Sequence, residues 1–390
     1  MAEHGKRTAI VVGAGIAGLA AALRLHRAGW RAVVVERAPA RRSSGYMLNL
    51  IGGEYDAVER LGLLPALAKR DLGAFTSILV RADGSAKFTV PQAIVEAAQG
   101  ARAMSVFRGD LETVLFEAVE ETAEFRFGTT VTAIAQDAGG VVATLSDGSQ
   151  ERADLLIGAD GLHSGVRRLV FGEESRLRVD LDHMVGAFPL HRVPADLAEG
   201  SGTTFIGPHR TAAVINLGPG RSSAFFTYRS ADTEADLARG PAAALGEAFG
   251  DLGGGVPDAL AQLEEDSGAY FDSVSQIRMD SWSDGRVVLL GDAAWCVTLF
   301  AGYGAGLAIA GADALGEALE RHGADVTAAL AEWEARLRPE AEKRQALARR
   351  GIARFAPPTR FHVWLSDMMM RSITLPGVRQ LVERSIRNSR

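Results

Sequence analysis

The chain carries a single cysteine, Cys296, in 390 residues. That excludes a disulfide framework and a cysteine-based metal site, and it fits a reducing cytoplasm. Basic residues are not in excess: 42 Lys+Arg against 48 Asp+Glu leave a net charge of −6, which argues against nucleic acid as a partner. No cluster with metal-ligand spacing, no internal repeat and no low-complexity segment interrupts an ordinary globular composition. Long apolar runs are few. Residues 293–312 carry no charge and are long enough to span a bilayer. The run is rich in Gly and Ala, however, and lacks flanking basic residues and aromatic belts, so it reads as a buried loop and helix with no membrane role. A second uncharged run, residues 10–23 after Lys6 and Arg7, has the outline of a secretory leader. Its glycines explain it better.

Three glycine–acid signatures are present: Gly-Ala-Gly-Ile-Ala-Gly at 13–18, Gly-Ala-Asp-Gly at 158–161 and Gly-Asp at 291–292, each ending an apolar strand-like run. In the first, Thr8 to Val12 predicts a buried parallel strand. Gly13 permits the sharp turn, Gly15 lets the backbone approach a pyrophosphate, and Gly18 lets the next helix pack on the strand. That helix, from Ile16 and Ala17 to about Ala28, points its N-terminal N–H groups and positive dipole end at the phosphates. A second strand over residues 32–35 ends at Glu36, next to Arg37, at the spacing of roughly twenty residues that suits a ribose diol. The Glu36 carboxylate would repel a 2′-phosphate. Asp160 ends a second strand and must be satisfied by backbone N–H groups or through water. Asp292 ends a third, where it can accept from flavin ribityl hydroxyls, and Gly302, Gly304 and Ala305 open a helix whose N-terminus suits negative charge on a reduced flavin. Together the three signatures describe one site wrapping a non-covalent FAD.

These features predict an α/β protein: a Rossmann-like FAD-binding domain with an inserted antiparallel-sheet substrate domain and C-terminal helices. The predicted division is 1–72, 98–178 and 272–325 for the first, 73–97 and 179–271 for the second, and 326–390 for the helices. From Arg336 onward 13 Lys+Arg face 4 Asp+Glu, a net of +9 that leaves −15 on residues 1–335. Such a face is either simply solvated or attractive to an anionic dinucleotide. Phe188, Phe205, Phe225, Phe226 and Tyr228 form an aromatic stripe that suits sheet core first and a substrate pocket second. His183, His191 and His209 are the candidates for a base in the substrate domain.

The stretch Gly-Ala-Asp-Gly-x-x-Ser-x-Val-Arg (158–167), combined with the other two signatures and with Arg108 at a helix start, resembles the class A, para-hydroxybenzoate hydroxylase-like flavoprotein monooxygenases, which include the aromatic polyketide hydroxylases. The likeness covers essentially the whole chain. It implies that Glu36 and Arg108 bind the adenosine and pyrophosphate part of FAD, that Asp160 and Arg167 serve FAD and NADPH, and that Asp292 holds the ribityl chain. It further implies NADPH as a transient reductant bound without a second dinucleotide fold, and O2 and an aromatic or polyketide-like molecule as substrates. The oxygen atom would be delivered through a C4a-hydroperoxyflavin, in antibiotic or secondary-metabolite biosynthesis. The protein is expected in the cytoplasm as a monomer or homodimer. The chain departs from the family pattern at Trp295, Leu299 and Tyr303, where His, Pro and Gln are usual. A flavin oxidase or dehydrogenase on the same fold, or a non-catalytic FAD-bound partner in a biosynthetic complex, are the alternatives. A flavin halogenase is disfavoured because no Trp-x-Trp-x-Ile-Pro segment occurs.

Overall fold

The computed structural model describes residues 6–41, 46–265, 269–298, 300 and 302–373. The β-branched run Thr8–Val12 lies inside a six-stranded sheet, whose spatial order is Ser283–Asp284, Val287–Leu289, Leu155–Gly158, Thr8–Val12, Arg31–Glu36, Glu124–Phe127. All pairings are parallel except the hairpin of the first two strands. Ile10 stands between Val33 and Leu156, and all three are fully buried. A parallel strand covered on both faces cannot alternate apolar with polar, which is why these strands read as continuous apolar runs. The helix Ile16–Arg27 packs on this sheet, and the helix Gly304–His322 packs against that helix.

A seven-stranded sheet builds the other half of the molecule, in the order Tyr270–Ile277, Arg178–Leu190, Ser222–Arg229, Arg210–Asn216, Ser201–Gly207, Thr76–Val80, Ala86–Val90. It is antiparallel apart from one parallel pair, Ser201–Gly207 with Thr76–Val80. Those two strands are far apart in sequence, so no hairpin dictates their direction. The strand Tyr270–Ile277 pairs along Arg178–Leu190. A domain boundary at 271/272 would therefore cut through a strand, and this part of the expected division is corrected. Asp272, Ser273, Ser275 and Gln276 make the segment too polar to read as a strand in sequence.

The aromatic stripe divides by parity, as strand geometry requires. Phe188, Phe226 and Tyr228 point into the core formed with Leu245 and Phe249 of a covering helix, Pro241–Phe249, and Phe205 joins them. Phe225 points the opposite way, together with Val185, Ala213 and Ile215, into the space between the two sheets. The helix Val326–Phe355 runs past both halves and is followed by Arg360–Ile373. Among the described residues no helix is long and apolar enough to cross a membrane. The uncharged stretch 293–312 holds the last three residues of the short helix Asp292–Trp295 and the start of the buried helix from Gly304.

Candidate active site

The three signatures touch one another, although they are spread along nearly three hundred residues. Gly13 adopts φ +104°, and a Cβ there would lie 2.5 Å from the carbonyl oxygen of Ala159, so the first and second turns meet backbone to backbone. A Cβ on Gly291 would crowd the Ala17 methyl at 2.9 Å, which brings the third turn against the first helix. Arg167 closes the triangle: its Nη1 donates to Ala293 O at 3.0 Å, beside Asp292, and its Nη2 to Leu162 O at 2.5 Å.

Around this junction lies a cavity of about 1080 Å³. Gly13, Gly15, Ile16 and Ala17 form its floor, Glu36 and Arg37 one end, and Arg108 and Asp160 its sides. Asp292, Gly302, Gly304 and Ala305 reach it from the third signature. Gly18 contributes packing instead, since a Cβ there would overlap Gly13 O. The Glu36 carboxylate is anchored by two backbone donors, Ala14 N–H at 2.8 Å and Ala38 N–H at 2.7 Å, and keeps lone pairs for a diol. Arg108 opens the helix Arg108–Glu117 and pairs with Glu112 at 2.8 Å. Asp160 accepts from Ser164 Oγ at 2.6 Å and Val166 N–H at 3.1 Å, so it fastens the start of the short helix Gly165–Val170. Asp292 faces the cavity; burial pushes its pKa up, opposed by the Arg108 guanidinium. Thr298, at φ +79°, holds a conformation that β-branched residues rarely adopt, and its buried hydroxyl has no partner among the described residues. A cavity wall is where such strain accumulates.

The far wall comes from the second sheet with Val185, Ala213, Ile215 and Phe225, from Phe300 ahead of the helix Gly304–His322, and from Phe355 of the C-terminal helix. Tyr46 and Tyr270, with ring centroids 5.6 Å apart, stand between the two walls. Burial raises both phenols, so they remain proton donors.

Several expected site residues lie elsewhere. Arg167 is 0% exposed and does not line the cavity. Its guanidinium is used on two carbonyls and on Glu174 Oε2 at 3.0 Å, so it braces the loops and is not free for a dinucleotide. The accessible neighbour is Arg168, which does line the cavity. None of the three histidine candidates reaches it. His183 is buried, donates through Nδ1–H to Leu181 O, 2.6 Å away, and burial lowers its pKa. His209 occupies the turn between Ser201–Gly207 and Arg210–Asn216 at φ +62°, and His191 is an exposed residue just past the end of Arg178–Leu190. His191 and His209 lie outside the strands, and His183, on the face it shares with Val185, stops short of the cavity with its ring edge-on to Phe300 at 6.2 Å.

Among the cavity residues that sequence reasoning did not single out, two carry side chains able to exchange a proton near neutral pH. His163 bonds through both ring nitrogens, to Glu174 Oε1 at 2.9 Å and Asp272 Oδ2 at 3.1 Å, and Asp272 foremost raises its pKa. The other is Glu54. His163 lies within the second signature and could have been flagged there; nothing local marks Glu54. Of the departures from the family pattern, Trp295 is core, packed with Trp282 and Trp333 at 4.7 and 5.9 Å. Tyr303 lines the cavity with the Arg344 guanidinium 3.7 Å above its ring. Leu299 lies outside the described residues. Cys296 is a buried thiol whose pKa burial raises well above the ordinary value.

A glycine turn open to the cavity, a helix N-terminus behind it, a carboxylate for a diol and a second carboxylate facing in define an FAD-binding flavoprotein. The chain belongs to the FAD binding domain family, whose model matches residues 6–343. It is 31% identical over 356 residues, 90% of this chain and 95% of the relative, to the uncharacterized protein Rv1260 of Mycobacterium tuberculosis. It is 26% identical over 380 residues, 93% of this chain and 89% of the relative, to a flavin-dependent monooxygenase of Legionella longbeachae. Among solved structures, the tetracycline destructase Tet(51) superimposes with a TM-score of 0.79 at 26% identity, covering 94% of this chain and 96% of its own. The protein is an FAD-dependent monooxygenase of the class A type.

Proposed function

We propose that the chain uses NADPH and O2 to place one oxygen atom on a neutral aromatic or polyketide-like molecule. The observation that carries this reading is the division of the cavity. Its acidic and basic side chains, Glu36, Arg37, Glu54, Arg108, Asp160, His163, Arg168 and Asp292, stand on the side of the three signatures. The wall from the second sheet offers only apolar and hydroxyl-bearing side chains among its described residues, including Ser223, Ser273 and Ser275. A carboxylate or ammonium substrate would be buried there without a partner, which is costly. Apolar polycyclic molecules fit such a surface, and the similarity to a tetracycline destructase supports that class.

When bound, FAD supplies the two-electron and O2 chemistry. The chain's residues hold and shield it. The Gly13–Gly18 turn and the N-terminus of Ile16–Arg27 would hold the pyrophosphate with Arg108, Glu36 the ribose diol, and Asp292 the ribityl hydroxyls. Phe225, Phe300 and Phe355 exclude water from the substrate side. The Tyr46 and Tyr270 phenols, protonated at neutral pH, can donate to a substrate oxygen. NADPH is drawn to the cavity rim at Asp160, His163 and Arg168, of which the latter two favour an anion.

Replacing Glu36 by Ala should weaken FAD by about 1–3 kcal/mol, the scale of a lost charge-assisted hydrogen bond. FAD titration of the apoprotein measures it, and unchanged affinity would mean that the ribose diol lies elsewhere. The reaction is tested by anaerobic stopped-flow reduction with NADPH, with and without candidate aromatic substrates, followed by turnover in labelled O2. Substrate should accelerate flavin reduction and the product should gain one labelled atom. Fast reduction without substrate, with product oxygen from water, would replace the monooxygenase reaction by an oxidase one.

A further inference from the structure

One acid on the cavity wall has no role in the scheme above. Glu54, in the helix Gly53–Arg60, is 6% exposed. Its Oε2 accepts from Ile51 N–H at 3.3 Å, but its buried Oε1 has no partner among the described residues. The carboxyl meets the cavity between the end of the strand Met47–Ile51 and the first turn of Gly304–His322. It is held there by close packing, because a Cβ on Gly306 would overlap the Glu54 side chain. The cation acting on it, Arg344, is engaged elsewhere: it donates to Glu340 at 2.6 Å and stacks on Tyr303. On its own helix, Asp56 and Glu59 pair with Arg102, and Arg60 with Asp313. Burial pushes the Glu54 carboxyl up to about 7.

We propose that Glu54 enters the FAD complex as a neutral acid whose O–H is donated to the bound cofactor, so that binding FAD takes up a proton at Glu54. The inference rests on FAD occupying this cavity. Filling the cavity removes the remaining water around Oε1 and brings a diphosphate into the same enclosure, and both disfavour a carboxylate. A neutral carboxylic acid has one proton to donate. FAD offers ring nitrogens, ring carbonyls and ribityl hydroxyls as acceptors. Glutamine has the same shape and can donate without titrating.

The test is the FAD dissociation constant of the apoprotein across neutral and alkaline pH, for wild type and Glu54→Gln. Above the Glu54 pKa, the wild-type constant should rise by up to about tenfold per pH unit relative to the variant. Calorimetry in buffers of different ionisation enthalpy should show up to about one more proton taken up by wild type. His163 can titrate with the same sign, but it is present in both proteins, so the difference between the profiles belongs to Glu54. The variant's fold is checked by melting the apoprotein. A carboxyl whose folded pKa is raised loses stability as pH rises from the ordinary carboxylate range through about 7. Apo Glu54→Gln should therefore melt above wild type at alkaline pH. Parallel FAD profiles in the two proteins would overturn the inference while leaving the FAD site in place. Failure of both proteins to bind FAD at any pH would overturn the site itself, and the inference with it.

Discussion

Gly15→Val should yield a folded protein that does not retain FAD. Gly15 sits at φ −82°, ψ −174°, extended backbone that any residue adopts, so strain is not the issue. Space is. A Cβ there meets nothing closer than Glu112 Oε1 at 3.8 Å and Arg108 Nη2 at 3.9 Å, so the side chain projects into the cavity. It would stand in front of the N–H groups of Ile16–Arg27, where the pyrophosphate is to be held, and beside the Arg108 guanidinium. Losing two charge-assisted hydrogen bonds would weaken FAD by about 3–6 kcal/mol. The protein itself loses only the N-cap preference of glycine over valine, about 1 kcal/mol. A normal thermal melt with no flavin absorbance after purification is the expected pair of results. Stoichiometric FAD in Gly15→Val would place the pyrophosphate away from this turn.

Arg167→Ala should act on the fold and on FAD together. A contact residue for NADPH, as the family likeness implied, would change only the apparent affinity for the reductant. Arg167 instead holds Ala293 O, Leu162 O and Glu174, and it is wholly buried. Truncation would leave two carbonyls without donors and weaken the tie between the second and third signatures. Glu174 keeps His163 at 2.9 Å and Arg178 at 3.5 Å, which limits its own loss. Two unsatisfied buried acceptors set the destabilisation at about 2–6 kcal/mol. Thermal unfolding and FAD titration should both shift, because the loop that presents Asp292 hangs from Ala293. A stable variant with normal FAD affinity and only a raised constant for NADPH would restore the direct-contact role. Arg168→Ala separates the possibilities from the other side: it should affect the reductant without loosening the fold.

Histidine shows why the candidate base was not legible. His183, His191 and His209 were chosen by their place in the substrate half, yet two of them fall outside the strands and His183 sits beyond the reach of the cavity on the face it shares with Val185, which only the assembled sheet decides. Alternation along the strand Ser222–Arg229 sent Phe225 to the cavity and Phe226 to the core, one position apart. Glu54 illustrates a different gap. Its local sequence, Gly-Gly-Glu-Tyr-Asp, resembles an exposed helix start. It is buried only because Gly306, some 250 residues later, leaves room for it.

By itself the sequence determined the strand–turn–helix at Thr8 to Arg27, the carboxylate at Glu36, the two later glycine–acid turns and hence the FAD site. Those features follow from local rules: the backbone angles that glycine permits, the donors a helix N-terminus leaves open, and the apolar continuity of a strand covered on both faces. Tertiary structure alone decided which ionisable groups face that site. Arg168 lines the cavity and Arg167 does not, His163 reaches it and His183 does not. Facing is set by contacts between segments far apart in the chain, and neighbouring residues on a helix or strand point in different directions.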